Sequence, residues 1–123
     1  MGRLYPRMRE RPLEFRINYD APLAEGLVFA GLGGRGCVGS MVYPDSSPYH
    51  NHGTLTNMDA ATDWVWDDEL RRWVNDFDGV DDYVVIGDHA AFDPASALTV
   101  CSWVKPSDAN RREAITKYNA PAR

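Results

Sequence analysis

The chain has 123 residues, 13 Lys and Arg against 18 Asp and Glu, and 44% hydrophobic residues; it is too short for a second independent core and too apolar for a disordered polymer. No run approaches the ~18 apolar residues of a membrane-spanning helix. Residues 1–16 carry five Arg and two Glu, 17–110 four basic and fifteen acidic groups, and 111–123 four basic and one acidic, and an acidic body of this kind repels nucleic acid and anionic membrane surfaces.

In residues 1–20, Arg and Pro alternate with single apolar residues and no period holds. Arg3, Arg7, Arg9, Arg11 and Arg16 interrupt every candidate apolar segment of a signal peptide, so synthesis in the cytoplasm without export is expected. The stretch reads as a basic extended arm, mobile unless it docks on a partner, for which neighbouring subunits of a homo-oligomer or particle are the candidates. Phe15, Ile17 and Tyr19 alternate and could add a strand to a sheet edge. Residues 21–123 form the predicted domain.

Ten Gly and eight Pro punctuate the whole chain, and no window of a dozen residues sustains helical apolar spacing. Short β-rich runs recur instead: 27–30, 41–43, 64–66, 72–74, 83–86, 98–104 and 114–117. They predict an antiparallel sandwich or barrel. Both alternating sets of Leu98 to Val104 are largely apolar, the pattern of a central strand covered on two faces. Trp66 and Trp73 flank a charged turn and are placed to pack across a hairpin; a one-turn helix over 67–72 is the competing reading.

Four motifs bear on chemistry. Gly31, Gly33 and Gly36 spell G-x-G-x-x-G after a predicted strand, but no helix follows to face a pyrophosphate, so a glycine loop is expected rather than a nucleotide site. His50 and His52 stand two apart, short of the three or four ligands of a zinc site. Asp76, Asp78, Asp81 and Asp82 cluster around Gly79, which reads as a hairpin turn or as oxygen ligands for calcium, although the EF-hand spacing fails. Cys37 and Cys101 could form one bridge, but free buried thiols are expected for a cytosolic chain. None of Glu10, Glu14, Glu25, Glu69 and Glu113 lies in a paired-carboxylate array, and no serine sits in a Gly-x-Ser-x-Gly elbow, so an enzyme is not expected.

Three segments in order, Tyr43-Pro-Asp-Ser-Ser-Pro-Tyr-His-Asn-His-Gly-Thr-Leu-Thr-Asn57, Asp76-Phe-Asp-Gly-Val-Asp-Asp-Tyr-Val84 and Ser96-Ala-Leu-Thr-Val-Cys-Ser-Trp-Val-Lys-Pro106, resemble the laminin-G-like group of concanavalin A-like domains over residues 26 to about 118. Pro48, Tyr49 and His50 replace the small turn residues usual in the first motif. The start of the domain, 20–28, also looks like that of phage and prophage members of the group. The resemblance implies an all-β, antiparallel jelly-roll β-sandwich with a structural calcium, used to bind glycans or protein surfaces. Asp45, Asn51, Asp78, Asp81 and Asp82 are then the candidate metal ligands; Asp45 and Asn51 could equally serve backbone amides of their own loop.

The reading that follows is a non-catalytic recognition or adhesion module of a phage-type structural or accessory protein, virion-associated, that binds carbohydrate. Tyr49, Trp64 and Trp66, the aromatics least tied to the motifs, are the candidate ligand-binding residues, with core or cross-strand packing as the alternative. Two other readings stand beside it: a particle-assembly protein without a small ligand, and a non-functional fragment of a longer protein. Because domains of this group run longer and 98–104 has two apolar faces, the sandwich is expected to be incomplete at its C-terminus or completed by a partner.

Overall fold

A computed structural model describes residues 17–110 and 113–117. The chain divides into two units, Met1–Asp93 and Pro94–Arg123, and among the described residues all regular strands lie in the first. They are β1 (Val42–Tyr43), β2 (Gly53–Thr56), β3 (Trp64–Asp67), β4 (Arg72–Asn75) and β5 (Tyr83–Ile86). With no α-helix among the described residues, the first unit is an all-β structure of antiparallel sheets.

One sheet has the order β1-β2-β5. Tyr43 faces Gly53 across the first pair, and Thr54 faces Val85 and Leu55 faces Val84 across the second. Period-two alternation puts Tyr43, Leu55 and Val84 on one side of this sheet and Val42, Thr54 and Val85 on the other. The first set meets the core, where Leu55 is only 2% exposed, while Val42 and Val85 stand exposed. The other sheet is the hairpin β3–β4, which pairs Trp66 with Trp73 and Trp64 with Asn75. Its turn is a loop rather than a helix: the Leu70 N–H donates to Asp67 Oδ1 (2.8 Å), and Arg71 takes a φ of +53° to reverse the chain.

The sheets share one core of Cys37, Leu55, Met58 and Trp64, against which Tyr43, Trp73 and Val84 pack. Burying an aliphatic or aromatic side chain of this size stabilises by about 1.5–3 kcal/mol, so a few residues carry most of the apolar driving force. The chain also approaches itself closely. A methyl group on Gly33 would collide with the Trp73 carbonyl oxygen, and it is the bare backbone there that lets 31–34 cross β4. The G-x-G-x-x-G segment therefore packs rather than cradles phosphate. A single 3₁₀ turn, Arg35–Cys37, follows it.

Several expectations are corrected. Residues 27–30 form no strand; the pairing falls one residue later, in a single antiparallel bridge between Gly31 and Asp45. The predicted strands 98–104 and 114–117 are also absent, because no strand pairs with them among the described residues. Leu98 and Val100 are exposed and Trp103 is 88% exposed, the opposite of a two-sided central strand. Strand β2 was not expected: Gly53-Thr-Leu-Thr56 has one strong apolar residue, and its pairing with both neighbours makes it central. Both cysteines are free, Cys37 buried as expected and Cys101 exposed. Of the arm, residues 1–16 lie outside the described residues. Residues 17–20 are not a strand, and the Tyr19 hydroxyl donates to the Ser46 carbonyl (2.6 Å).

Candidate functional site

The best-organised polar cluster is built by the loop between β1 and β2. Asp45 is nearly inaccessible, and four donors converge on its carboxylate. Oδ1 accepts the N–H of Ala30 and of Ser47, each at 2.8 Å. Oδ2 accepts the Ser47 hydroxyl at 2.7 Å and the Asn51 N–H at 2.8 Å. Burial works against the charged form, but the hydrogen bonds from Ser47, Ala30 and Asn51 outweigh it and hold Asp45 below the usual carboxylate range. The Asp45 N–H in turn donates to His52 Nδ1 (2.9 Å), and Asn51 Nδ2 reaches the Val28 carbonyl (3.4 Å). One carboxylate thus ties loop 45–52 to segment 28–30. With its four acceptor positions occupied by protein donors, Asp45 acts as a structural anchor rather than a cation ligand. Asn51 takes part through its backbone N–H and its amide donor.

This clasp displays Tyr49. Ser47 is fully buried, and His50 takes a φ of +50°, an uncommon conformation for a non-glycine residue, at the loop tip. Between them, Tyr49 is 49% exposed and packs against His89 (centroids 5.6 Å, T-shaped). His89 Nδ1 accepts the Ala91 N–H (3.0 Å) at the start of a 3₁₀ turn, Ala90–Phe92. From His89 a series of ring contacts runs inward through Phe92, Phe29 and Tyr43 to Trp64, each step 5.7–6.5 Å. Tyr49 is the surface end of an aromatic series rooted in the core. His89 was not singled out by sequence reasoning; 40 residues separate it from Tyr49, and no local pattern signals the contact.

The other two aromatic candidates separate. Trp64 is 3% exposed and its indole N–H donates to the Ser40 carbonyl (3.1 Å), so it is a core residue with no face to offer a ligand. Trp66, two residues on, is 43% exposed. It meets Trp73 edge to face (5.9 Å), the cross-strand pair expected from the spacing, and its indole N–H donates to Asp68 Oδ1 (2.9 Å).

Of the candidate metal ligands, only Asp78, Asp81 and Asp82 come together, with one oxygen from each within 4.8 Å of the others. Their loop turns at Gly79, whose φ is +75°. Asp78 Oδ1 accepts the Val80 N–H (2.7 Å) and the Asp81 N–H (3.3 Å), and the Asp78 N–H donates to Asp82 Oδ2 (2.8 Å). The Val80 N–H lowers the Asp78 pKa most; desolvation opposes it, and the N–H groups of Asp81 and Asp82 add smaller lowering. Three carboxylate oxygens on a tight loop are hard-cation chemistry, and Asp45 is not part of that group.

No protein-family model matches the chain, and no curated protein or solved structure is significantly similar to it. Among the described residues, no helix is long and apolar enough to cross a membrane.

Proposed function

We propose that this chain is a non-catalytic recognition module of the laminin-G-like, concanavalin A-like kind, belonging to a phage-type structural or accessory protein and binding a saccharide through Tyr49. In this reading the antiparallel sheets are part of a jelly-roll sandwich. The observation that carries the proposal is the half-exposed Tyr49 ring, held by the Asp45 clasp below it and by His89 beside it. An ordered aromatic face at the surface is a stacking platform, and ordering it in advance reduces the entropy lost on binding. Calcium, in the same reading, is held by Asp78, Asp81 and Asp82, and its role is to brace the turn into β5.

Glycan-array screening followed by calorimetry tests this. Tyr49→Ala should abolish binding, Trp66→Ala should weaken it less, and chelation should weaken it if the acidic loop is part of the site. Failure of the intact, folded chain to bind any glycan would overturn the reading. Co-purification in assembled particles would then favour a subunit whose residues 1–20 contact neighbouring copies, a reading supported by the opposite charges of 1–16 and 17–110.

A further inference from the structure

The glycan reading gives the exposed tryptophan of the β3–β4 hairpin only a secondary part and the arginines of residues 1–16 none. We propose that the hairpin face formed by Trp66, Trp73 and Asp68 is the docking site for arginine side chains of this chain's own residues 1–16.

The surface has the chemistry of a cation site. Trp66 is 43% exposed, meets Trp73 at 5.9 Å with the ring planes inclined by 69°, and has its indole N–H tied to the Asp68 carboxylate. Tryptophan is the strongest cation–π acceptor among side chains, and arginine is its commonest partner. The Trp66–Asp68 bond fixes the ring and places a carboxylate beside it, so one guanidinium can lie near an aromatic face and a negative charge at once.

Charge and tether identify the occupant. Residues 1–16 hold five of the chain's basic residues against two acidic ones, interleaved with Leu4, Tyr5, Met8, Leu13 and Phe15, while residues 17–110 carry fifteen acidic and four basic groups. A single cation–π contact is too weak to hold a separate peptide at ordinary concentrations. A tethered segment, however, has an effective concentration in the millimolar range. Sixteen extended residues reach up to about 53 Å, more than the width of a domain this size, so the hairpin lies within range of its own arm. The inference goes beyond the glycan reading and does not depend on it.

Limited trypsinolysis of the intact chain, followed by mass spectrometry, tests it. Cleavage after Arg3, Arg7, Arg9 and Arg16 reports access to the arm; Arg11 precedes Pro12 and resists trypsin. At low salt the wild-type arm should be cut slowly. Trp66→Ala should speed those cuts roughly three- to fivefold, as should 0.5 M salt, which screens the charges. Asp68→Asn keeps an acceptor for the indole N–H and removes only the charge. It should give a smaller increase without disturbing the fold, and so remains informative if Trp66→Ala does not fold. Tyr49→Ala should leave the rates unchanged. Equal rates in wild type, Asp68→Asn and high salt would overturn the proposal. So would protection that is lost on dilution, because it would place the arm on a neighbouring copy.

Discussion

Residues 41–86 and residues 94–110 are built from similar amino acids and end up in opposite states. Four of the seven residues from Leu98 to Val104 are β-branched or aromatic, yet the segment has no strand conformation and Trp103 is 88% exposed. Gly53 to Thr56 is poorer in such residues and is the central strand of its sheet. Strand propensity describes how well a side chain fits a pleated, half-covered surface; it does not supply the neighbours. Where two strands offer their edges, a weak sequence becomes a strand, and without a paired edge a strong one does not.

Mutations sharpen that contrast. The largest effect is expected at the core: Trp64→Ala or Leu55→Ala should cost about 3–5 kcal/mol in urea unfolding. Leu98→Ala and Val100→Ala should stay within about 0.5 kcal/mol. A cost at Val100 comparable to that at Leu55 would mean that 98–104 is packed in solution.

Next comes Asp45. Asp45→Ala removes an acceptor from four donors in a buried clasp and should cost about 2–4 kcal/mol. Its pKa is lowered in the folded chain, so its stabilisation is fully present above the ordinary Asp range, near 3.9, and is lost as pH falls below that range through the lower folded value. The wild type should therefore lose stability over that acid window more steeply than Asp45→Ala does. Parallel curves would show that the carboxylate charge contributes nothing.

Gly33→Ala is expected to cost about 1–3 kcal/mol, because the added methyl meets the Trp73 carbonyl and the backbone must shift. Gly34→Ala, one residue on, has open space at the same position and should be nearly silent. The smallest effect is expected at the acidic loop. Asp78→Asn should barely change unfolding in chelator, since the side chain is exposed and an amide oxygen can still accept the Val80 N–H. It should lower any calcium-dependent rise in melting temperature.

The Trp66–Trp73 pair could be read from the chain because a hairpin is local: the two residues flank one short turn, and antiparallel register brings them opposite each other. The loop around Asp45 was half legible. Asp45 and Asn51 stood out as oxygen-bearing residues in a turn, with a cation and backbone amides as the competing partners. The Ala30 N–H, fifteen residues away, could not be seen from spacing. Of the candidate metal ligands, Asp78, Asp81 and Asp82, neighbours in sequence, came together as the local pattern implied.

What the sequence by itself determined is the all-β, antiparallel character, strands near 41–43, 64–66, 72–74 and 83–86, each within a residue of its observed bounds, and the hairpin between the tryptophans. Gly and Pro spacing excludes long helices, and β-branched and aromatic runs tolerate little else. Tertiary structure decided which apolar residues are covered. Trp64 and Trp66 lie on the same face of one strand, and only their distance from Leu55, Tyr43 and Met58 makes one a core residue and the other a surface ring. Alternation assigns side chains to faces; burial depends on what packs against each face, and that is a property of the assembled chain.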